Sequence, residues 1–537
     1  MRHPKSALYR SPFVAFAGVL ALAGCIAPGR TGDTTGGSAG TTGAAGTVGA
    51  GGVAGTGSGA VSGTSGGGRG GSAAGTSGTA GTGGSAIGTA GTSGSAGTGG
   101  TTGTGGVAGT GTAGGGTGGG AGGTGGTKPP RGPTPAANGV NFPFPQNREL
   151  SRCTYPVNYL NSDVMDAYSK WRTDTVTSMG ANGFRRVQRL STDPVSTSTP
   201  AGSTVSEGIA YGMLIAVYMG SKDDQMLFDD LWKYSQAHKN VNGLMNWSIS
   251  ADGNMTPGVG AATDADEDIA FALLMADKQW GSAGSLNYLN LAKAQINSIW
   301  LHEIVDSKLA GPGDGWGPTN LWGDINISYF APFYYRLFKM VDSGHDWDAV
   351  IKTSYDTIMF SLTTQNGNAN NGLVPAWCAS NTNSSGVTTI SGSAPPNNIF
   401  WHQYDSCRTP FRIALDWCFF GETRAQAYLM KTSSFFSGIG AANIVDGYNL
   451  DGTKHVQFSP ATTAPTLAQQ SAAFLGPSGV GAMVSPTYQT FINESYARVA
   501  TRQTLVGGAY YDESWMVMSL LMMTGNFLDY TTQTPAH

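Results

Sequence analysis

Aromatic residues and charges are almost absent from one long stretch of this 537-residue chain. Residues 31–127 contain no Phe, Trp or Tyr, and their only charged side chains are those of Asp33 and Arg69. Gly, Thr, Ser and Ala make up nearly all the rest, and such a segment has too little apolar surface to offset the entropy lost on folding. We therefore expect a low-complexity, disordered Gly/Thr/Ser/Ala-rich tether at 25–137 and one folded domain at 138–537.

Positive charge is scarce in the predicted domain. Residues 138–537 contain 23 Lys and Arg against 33 Asp and Glu, and they hold all 12 Trp residues of the chain. The acidic excess argues against nucleic acid as a ligand and against electrostatic docking on an anionic membrane. Many aromatic residues with few charges favour a neutral, hydroxyl-rich ligand such as a polysaccharide.

The N-terminal apolar stretch is too short to cross a membrane. It covers residues 12–24, about 13 residues where a spanning helix needs about 20, and three basic residues precede it. This pattern predicts a secretory signal peptide. The stretch ends in the letters LAGC, which resemble the lipobox of bacterial lipoproteins and imply removal of residues 1–24 and lipidation of Cys25. Because Ile26 rather than Asp follows, we expect export and anchoring at the outer membrane or cell surface, with secretion as the alternative.

Cysteines are few, which limits the possible disulfides. Besides Cys25, the chain has Cys153, Cys378, Cys407 and Cys418. The last two are predicted to share one helix at a separation of about 16 Å, which excludes a bridge between them. Two alternatives remain, Cys153–Cys418 with Cys378–Cys407, or Cys153–Cys407 with Cys378–Cys418, and free thiols are the third.

Helical periodicity covers most of residues 138–537, whereas strand-like alternation is scarce. The candidate helices are 163–175, 207–219, 223–238, 266–280, 285–304, 328–341, 345–362, 406–420, 422–438, 465–475, 488–500 and 512–524. Most form pairs joined by short turns in which Gly220 or Gly421 caps the preceding helix. This alternation of short and long connections predicts an all-α domain of six helical hairpins closed into a barrel. The long connections would gather at one end and shape the functional site.

Three acidic residues lie at the starts of predicted helices, each after a long connection: Glu207, Asp264 and Asp405. One such residue alone indicates only a favourable interaction with a helix dipole. Three carboxyl groups at one rim would instead push their pKa values apart, so that protonated and ionised forms coexist. Glycoside cleavage requires one carboxylic acid and one carboxylate, which such a group would supply.

Three segments around these acids resemble the glycoside hydrolase family 8. The stretch ATDADEDIAFALLMADKQW at 262–280 is similar to the signature of that family. The segments SEGIAYGM, from Ser206, and YDSCRTPFRIALD, from Tyr404, resemble its two other active-site segments. The resemblance covers about 145–530, with departures at 209–210, where Gln-Gly is common, and at Phe411, where Trp is common.

The resemblance implies an (α/α)6 barrel and inversion at the anomeric carbon. It implies that Glu207 is the general acid, that Asp405 is the general base, and that Asp264 holds the sugar and helps to keep Glu207 protonated. An inverting acid and base are expected about 6.5–9.5 Å apart. Tyr404 and Arg408 flank the base and are expected to bind substrate, and Arg408 would either position Asp405 or bind a sugar hydroxyl.

Four aromatic residues are candidates for stacking against pyranose rings: Trp247, Trp322, Tyr329 and Tyr511. Each has core packing as the alternative, and Tyr510 competes with its neighbour for the role. We expect no cofactor and no metal. The acidic run from Asp264 to Asp268 lacks the glycine and the closing glutamate of a calcium loop.

The sequence therefore predicts an exported, lipid-anchored endo-β-1,4-glucanase that acts on cellulose or mixed-linkage β-glucan. A xylanase or chitosanase of the same family is the alternative substrate class, and a role in cellulose synthesis is open. A non-catalytic carbohydrate-binding lipoprotein is the alternative of another class. The expected partners are a β-1,4-linked polysaccharide and, through the lipid alone, a membrane, and the protein is expected to be a monomer.

Overall fold

A computed structural model describes residues 132–537 except 191–192, 194, 315–322, 383–387, 392–399, 457–469 and 502–508. Cys25 and Trp322 lie outside the described residues. The α-helices of the described part are α1 (Asn161–Thr175), α2 (Ser206–Met219), α3 (Lys222–Ala237), α4 (Thr263–Trp280), α5 (Tyr288–His302), α6 (Pro332–Val341), α7 (Trp347–Ser361), α8 (Thr409–Phe420), α9 (Thr423–Ile439), α10 (Ala472–Ala482), α11 (Gln489–Ala500) and α12 (Ala509–Met523).

The helices form two concentric rings. Each even-numbered helix packs against the next one, and α12 packs back on α2, so that six helices close an inner ring. The odd-numbered helices lie outside, with α3, α5, α7, α9 and α11 each packed on the even-numbered helix before it and α1 on α12. The predicted (α/α)6 barrel is confirmed, and its sixth helix pair consists of α12 and α1, the last and first helices of the described residues.

Burial distinguishes the two rings. Every residue of α2 and α10 is buried, whereas the outer helix α3 has a buried face and an exposed charged face. An inner helix must bury all its sides, which requires an apolar sequence around the whole circumference. The inner helices therefore hold the N-terminal ends of α2 and α4 rigidly in the core of the barrel.

The predicted helix boundaries agree with the structure within a few residues except at α10. The sequence predicted a helix at 465–475, which would end just before Gly476 and Pro477, two residues that disfavour a helix interior. The structure places α10 at Ala472–Ala482 with Pro477 inside it. A Cβ atom on Gly476 would lie 2.2 Å from the Ser519 hydroxyl oxygen, so the glycine permits close contact with α12. Tertiary packing here outweighs helix propensity.

Short strands join the long connections to one another. Strands β1 (Val176–Thr177) and β2 (Arg186–Val187) pair, as do β3 (Thr204–Val205) and β4 (Ser248–Ile249). Strands β5 (Gly323–Ile325), β6 (Cys378–Thr382) and β7 (Thr388–Ser391) form an antiparallel sheet. All of these pairings are antiparallel, and the β3–β4 pair ties the connection that precedes α2 to the one that precedes α4.

One disulfide bond joins the segment before α1 to the last turn of α8. Cys153 and Cys418 are bonded, with their Cα atoms 5.5 Å apart, whereas Cys378 and Cys407 are buried thiols. The Cys153–Cys418 pairing is thus confirmed. The Cys378–Cys407 pairing and the whole second alternative are wrong, because the Cys407 sulfur instead contacts the carbonyl oxygen of Tyr404 at 2.9 Å.

Among the residues that the structure describes, no helix combines the length and the apolar character needed to cross a membrane.

Candidate active site

The three predicted acids come from three separate segments at one end of the inner ring. Glu207 and Asp264 are the second residues of α2 and α4, and Asp405 immediately precedes the short 3-10 helix Ser406–Arg408 that leads into α8. All three are buried, with exposed fractions of 3%, 1% and 7%. The long connections before these helices bring the carboxyl groups to one place, as the sequence predicted.

Arg408 lies at the centre of the three carboxyl groups. Its Nη1 atom is 2.6 Å from Glu207 Oε2, 2.7 Å from Asp264 Oδ2 and 2.9 Å from the Tyr211 hydroxyl. Its Nη2 atom is 3.5 Å from Asp405 Oδ1. The predicted flanking residue is therefore a common ion-pair partner of all three acids.

Three more contacts fix the Arg408 side chain. Its Nε atom donates to Ser328 Oγ at 3.0 Å and to the Asp405 carbonyl oxygen at 3.1 Å. Its guanidinium carbon lies 5.0 Å from the centre of the Tyr329 ring, which is a cation–π distance. These hydrogen bonds and the ring contact fix the orientation of the guanidinium relative to the acids.

One guanidinium cannot balance three buried carboxylates. If all were ionised the cluster would carry two uncompensated negative charges in a low-dielectric interior, which is costly. The cluster therefore favours the neutral form of at least one acid. Like charges held close raise the pKa of one member, which is the condition that paired catalytic carboxyl groups exploit.

Glu207 is the acid most strongly held in the protonated form. Burial is the main cause that raises its pKa to about 8, and the charges of Asp264 and Asp405 add to it. Arg408 and a hydrogen bond of 3.0 Å from the Tyr510 hydroxyl to Oε1 oppose the rise. At neutral pH the side chain therefore keeps its proton, as a general acid must.

Asp405 has a different set of partners. Its Oδ2 atom accepts hydrogen bonds from the Gln403 amide at 2.7 Å and from the Trp377 indole at 3.2 Å. Burial raises the pKa of Asp405, but Arg408, Gln403 and Trp377 each lower it. Two donors on one oxygen stabilise the ionised form, which is the form a general base needs.

Asp264 presents one oxygen to Arg408 and has the other open. Its Oδ1 atom is buried and has no hydrogen-bond partner among the described residues. A buried carboxylate oxygen without a donor is costly unless a ligand supplies one. A sugar hydroxyl would fit, which agrees with the predicted role in holding the substrate.

The aromatic candidates fall into different surroundings. Trp247 is half-buried and its indole covers Gly258, where a Cβ atom would lie 2.3 Å from the ring. The Tyr329 ring packs on Arg408, as described above, and is buried. The Tyr404 hydroxyl donates to Asp446 at 3.2 Å, and the Tyr511 hydroxyl donates to the Tyr404 carbonyl at 2.6 Å. Sugar contact by these residues stays a prediction, for which Trp247 has the most accessible ring.

A second set of charged residues lies beneath the first. Asp268 receives a hydrogen bond of 3.0 Å from Arg412, and Glu267 Oε2 lies 3.8 Å from the same guanidinium. The carboxyl groups of Asp266 and Glu303 also interact electrostatically, and burial raises the pKa of both. Repulsion between two buried carboxylates favours the protonated form of at least one member of such a pair.

Residue motifs did not reveal every group in the site. Tyr510 was considered only as a competitor of Tyr511, yet it is the one that contacts Glu207. Trp377 was missed, because it precedes β6 in a segment that carries no acidic motif. Gln403 lies two residues before the base, and that proximity was the one available signal.

Among the described residues, no cluster of three or more His, Cys, Asp or Glu is arranged to hold a metal ion.

Comparison with known proteins gives consistent matches. The sequence model of the family described as "Glycosyl hydrolases family 8" matches residues 152–525. Endoglucanase A of Acetivibrio thermocellus is 36% identical over 364 residues, which are 67% of this chain and 68% of that protein. Endoglucanase 2 of Ruminiclostridium josui is 36% identical over 395 residues, which are 72% of this chain and 77% of that protein.

Solved structures support the same fold. The apo structure of a beta-1,3-1,4-glucanase from Paenibacillus sp. X4 superposes with a TM-score of 0.61 at 30% sequence identity. The alignment covers 72% of this chain and 99% of that chain.

Proposed function

The chain belongs to the glycosyl hydrolases of family 8, and on that premise we propose that it is an inverting endo-β-1,4-glucanase. Its substrate would be cellulose or a mixed-linkage β-glucan. Relatives that are 36% identical over most of the chain are named endoglucanases, and the similar solved structure is named a beta-1,3-1,4-glucanase. These names support a glucan as the substrate.

The observation that carries the proposal is the buried group of Glu207, Asp264 and Asp405 around Arg408. It supplies a carboxyl group with a pKa near 8 and a second one held by donors that favour its ionised form. Such a pair is what hydrolysis by direct displacement needs. A carbohydrate-binding protein without activity would have no use for the buried charge that this arrangement requires.

The reaction follows from the two protonation states. Glu207 donates its proton to the glycosidic oxygen as the bond from that oxygen to the anomeric carbon breaks. A water attacks the anomeric carbon from the opposite face and gives a proton to Asp405. The product has the inverted anomeric configuration, and exchange with solvent returns a proton to Glu207 and removes one from Asp405. Asp264, with its open oxygen, would hold a sugar hydroxyl at the cleavage point.

Release of reducing ends tests the proposal. The purified protein and its Glu207→Gln variant would be incubated with carboxymethyl cellulose, mixed-linkage β-glucan, xylan and chitosan. We expect cleavage of the two glucans by the native protein and its loss in the variant. Cleavage of xylan or chitosan alone would contradict the proposal that β-glucan is the substrate. Binding of glucan without any cleavage would contradict the proposal that the protein is an enzyme.

We also propose that the protein is exported and anchored by a lipid on Cys25. The support is the sequence of residues 12–25, with its apolar stretch ending in LAGC. Expression of the full chain and of a Cys25→Ala variant, in a host with two membranes and with a labelled fatty acid, tests this. Label on the native chain alone is the expected result, and an unlabelled native chain would contradict lipidation.

A further inference from the structure

The two oxygens of Asp405 have unequal surroundings. A carboxylate oxygen has two lone pairs that can accept hydrogen bonds. At Oδ2 both are used, by the Gln403 amide at 2.7 Å and by the Trp377 indole at 3.2 Å. At Oδ1 the described residues provide one contact, Arg408 Nη2 at 3.5 Å, which is long for a hydrogen bond between charged groups.

We propose that Gln403 and Trp377 are positioning residues that hold Oδ2 of Asp405 and leave Oδ1 to take the proton from the attacking water. The inference rests on the proposed function and deepens it, since it names the oxygen that acts as the base. A carboxylate that could rotate would offer either oxygen, and a rotation about the Cβ–Cγ bond would move the accepting lone pair. Two fixed donors on one oxygen prevent that rotation.

The two donors to Asp405 are held in place in different ways. Gln403 belongs to that segment, and its Oε1 atom accepts the backbone N–H of Asp405 at 3.2 Å while its Nε2 atom donates to Oδ2. The amide therefore bridges the main chain and the side chain of the same residue. Such a bridge fixes the side-chain torsion of Asp405 relative to its own backbone.

Trp377 reaches Oδ2 from another part of the chain. The backbone N–H of Ala376 donates to the Trp401 carbonyl at 2.9 Å, which ties the strand β6 side of the site to the segment that carries Asp405. The Trp377 ring meets the edge of Tyr329, with centroids 6.0 Å apart, and Tyr329 in turn packs on Arg408. Its indole N–H is thus held by packing and is not a mobile donor.

Charged and titratable groups also act on Asp405. Burial of Asp405 raises its pKa, Arg408 and the two donors lower it, and Asp264 raises it. The groups that interact electrostatically with Asp405 include Arg408, Asp264, Glu207, Tyr329 and Cys407. Gln403 and Trp377, by contrast, are neutral hydrogen-bond donors to Asp405. Their removal therefore changes hydrogen bonding without changing the charge of the site.

The test uses Gln403→Met, Trp377→Phe and the double variant. Each single change removes one donor to Oδ2 and keeps most of the side-chain volume. We expect the acidic limb of the kcat pH profile to move to higher pH by about one unit, because loss of a donor disfavours the carboxylate. We expect kcat to fall about tenfold from loss of orientation, with KM within a factor of about two. The basic limb, which reports Glu207, should stay in place.

Matched controls separate a positioning role from a general effect. Gln489→Met and Trp417→Phe remove the same donors at hydrogen bonds far from the acids, to the carbonyl oxygens of Tyr155 and Arg152. They should leave both limbs unchanged. An acidic limb that coincides with that of the native protein in Gln403→Met and Trp377→Phe would overturn the inference, as would an equal shift of both limbs.

A second measurement does not depend on activity. The carboxyl carbon of Asp405 can be followed by 13C NMR and identified by its absence in Asp405→Asn. Its titration midpoint should be higher in Gln403→Met than in the native protein, and equal midpoints would overturn the inference even if one variant were too unstable to assay. An inactive native protein would instead contradict the proposed function, so the two failures are distinguishable.

Discussion

Glu207 and Asp405 are both buried carboxyl groups in contact with Arg408, yet their surroundings favour opposite protonation states. Glu207 accepts one hydrogen bond from a neutral donor, the Tyr510 hydroxyl. It also shares the Nη1 atom of Arg408 with a second acid, Asp264. Asp405 accepts two hydrogen bonds from neutral donors on one oxygen. The comparison teaches that donors rather than burial divide the roles, since burial raises the pKa of both.

The largest expected effect separates the acid from the base directly. Glu207→Gln and Asp405→Asn should each lower kcat on β-glucan by roughly 10³-fold, because each removes a proton-transfer group. On an aryl β-cellooligosaccharide, whose phenolate leaving group needs no proton, Glu207→Gln should recover most of its rate and Asp405→Asn should not. Steady-state assays on both substrates check this, with Glu494→Gln and Asp356→Asn as exposed controls. Recovery by Asp405→Asn would reverse the assignment.

Removal of the shared cation should affect both acids. Arg408→Met leaves three buried carboxyl groups without a counter-ion, and we expect the free energy of unfolding at pH 7.5 to fall by roughly 3–5 kcal/mol. The loss should be smaller at pH 5, where the carboxyl groups can protonate. Urea denaturation at the two pH values measures it, with the exposed Arg152→Met as control. An equal loss at both pH values would show that Arg408 acts by packing alone.

The Tyr510 hydroxyl provides a smaller and more selective change. It donates to Glu207 and lowers its pKa, so Tyr510→Phe should raise that pKa and move the basic limb of the kcat profile up by about one pH unit. The acidic limb should stay. Tyr288→Phe, which removes a hydroxyl bonded to Asp229, is the matched control. Together with the Gln403 and Trp377 variants, this change would show each limb moving by itself.

The smallest effect is expected at the carboxyl pair Asp266 and Glu303, and it concerns stability. Asp266 and Glu303 have raised pKa values in the folded protein, so the folded state binds more protons than the unfolded chain above pH 4. Their contribution to stability is present below the unfolded pKa and is lost as pH rises towards the folded value. Glu303→Gln should therefore stabilise the protein by about 1 kcal/mol at pH 8 and little at pH 4. Thermal unfolding of the native protein, of Glu303→Gln and of the control Glu494→Gln measures this across the pH range. Parallel curves of stability against pH for the native protein and Glu303→Gln would contradict the prediction.

The sequence was sufficient for those parts of the site that local patterns encode. The acids lie at helix starts after long connections, and helix periodicity placed α2, α4 and α8 within a few residues. The barrel followed from alternating connection lengths, although closure of α12 on α2 became visible only in the structure. The resemblance to the family supplied the roles of the acids.

Other features depend on contacts between distant segments and could not be predicted. Trp377 reaches Asp405 through the packing of β6, and nothing in its own segment indicates an acid nearby. The predicted end of α10 was wrong because Gly476 and Pro477, which disfavour a helix interior, lie inside this helix. Close packing against α12 requires the space that Gly476 leaves. The sequence left two alternative pairings and free thiols open for Cys378 and Cys407, and in the fold both are thiols, with the Cys407 sulfur in contact with the Tyr404 carbonyl oxygen.

The anomeric configuration of the first product tests the central claim most directly. If Glu207 protonates the leaving oxygen while Asp405 activates a water on the opposite face, cleavage of a β-glucan must first release the α-anomer. Proton NMR of the anomeric region during the first minutes of hydrolysis distinguishes the two forms before mutarotation mixes them. The account predicts an initial α-anomer signal that decays towards equilibrium, and an initial β-anomer signal would contradict it.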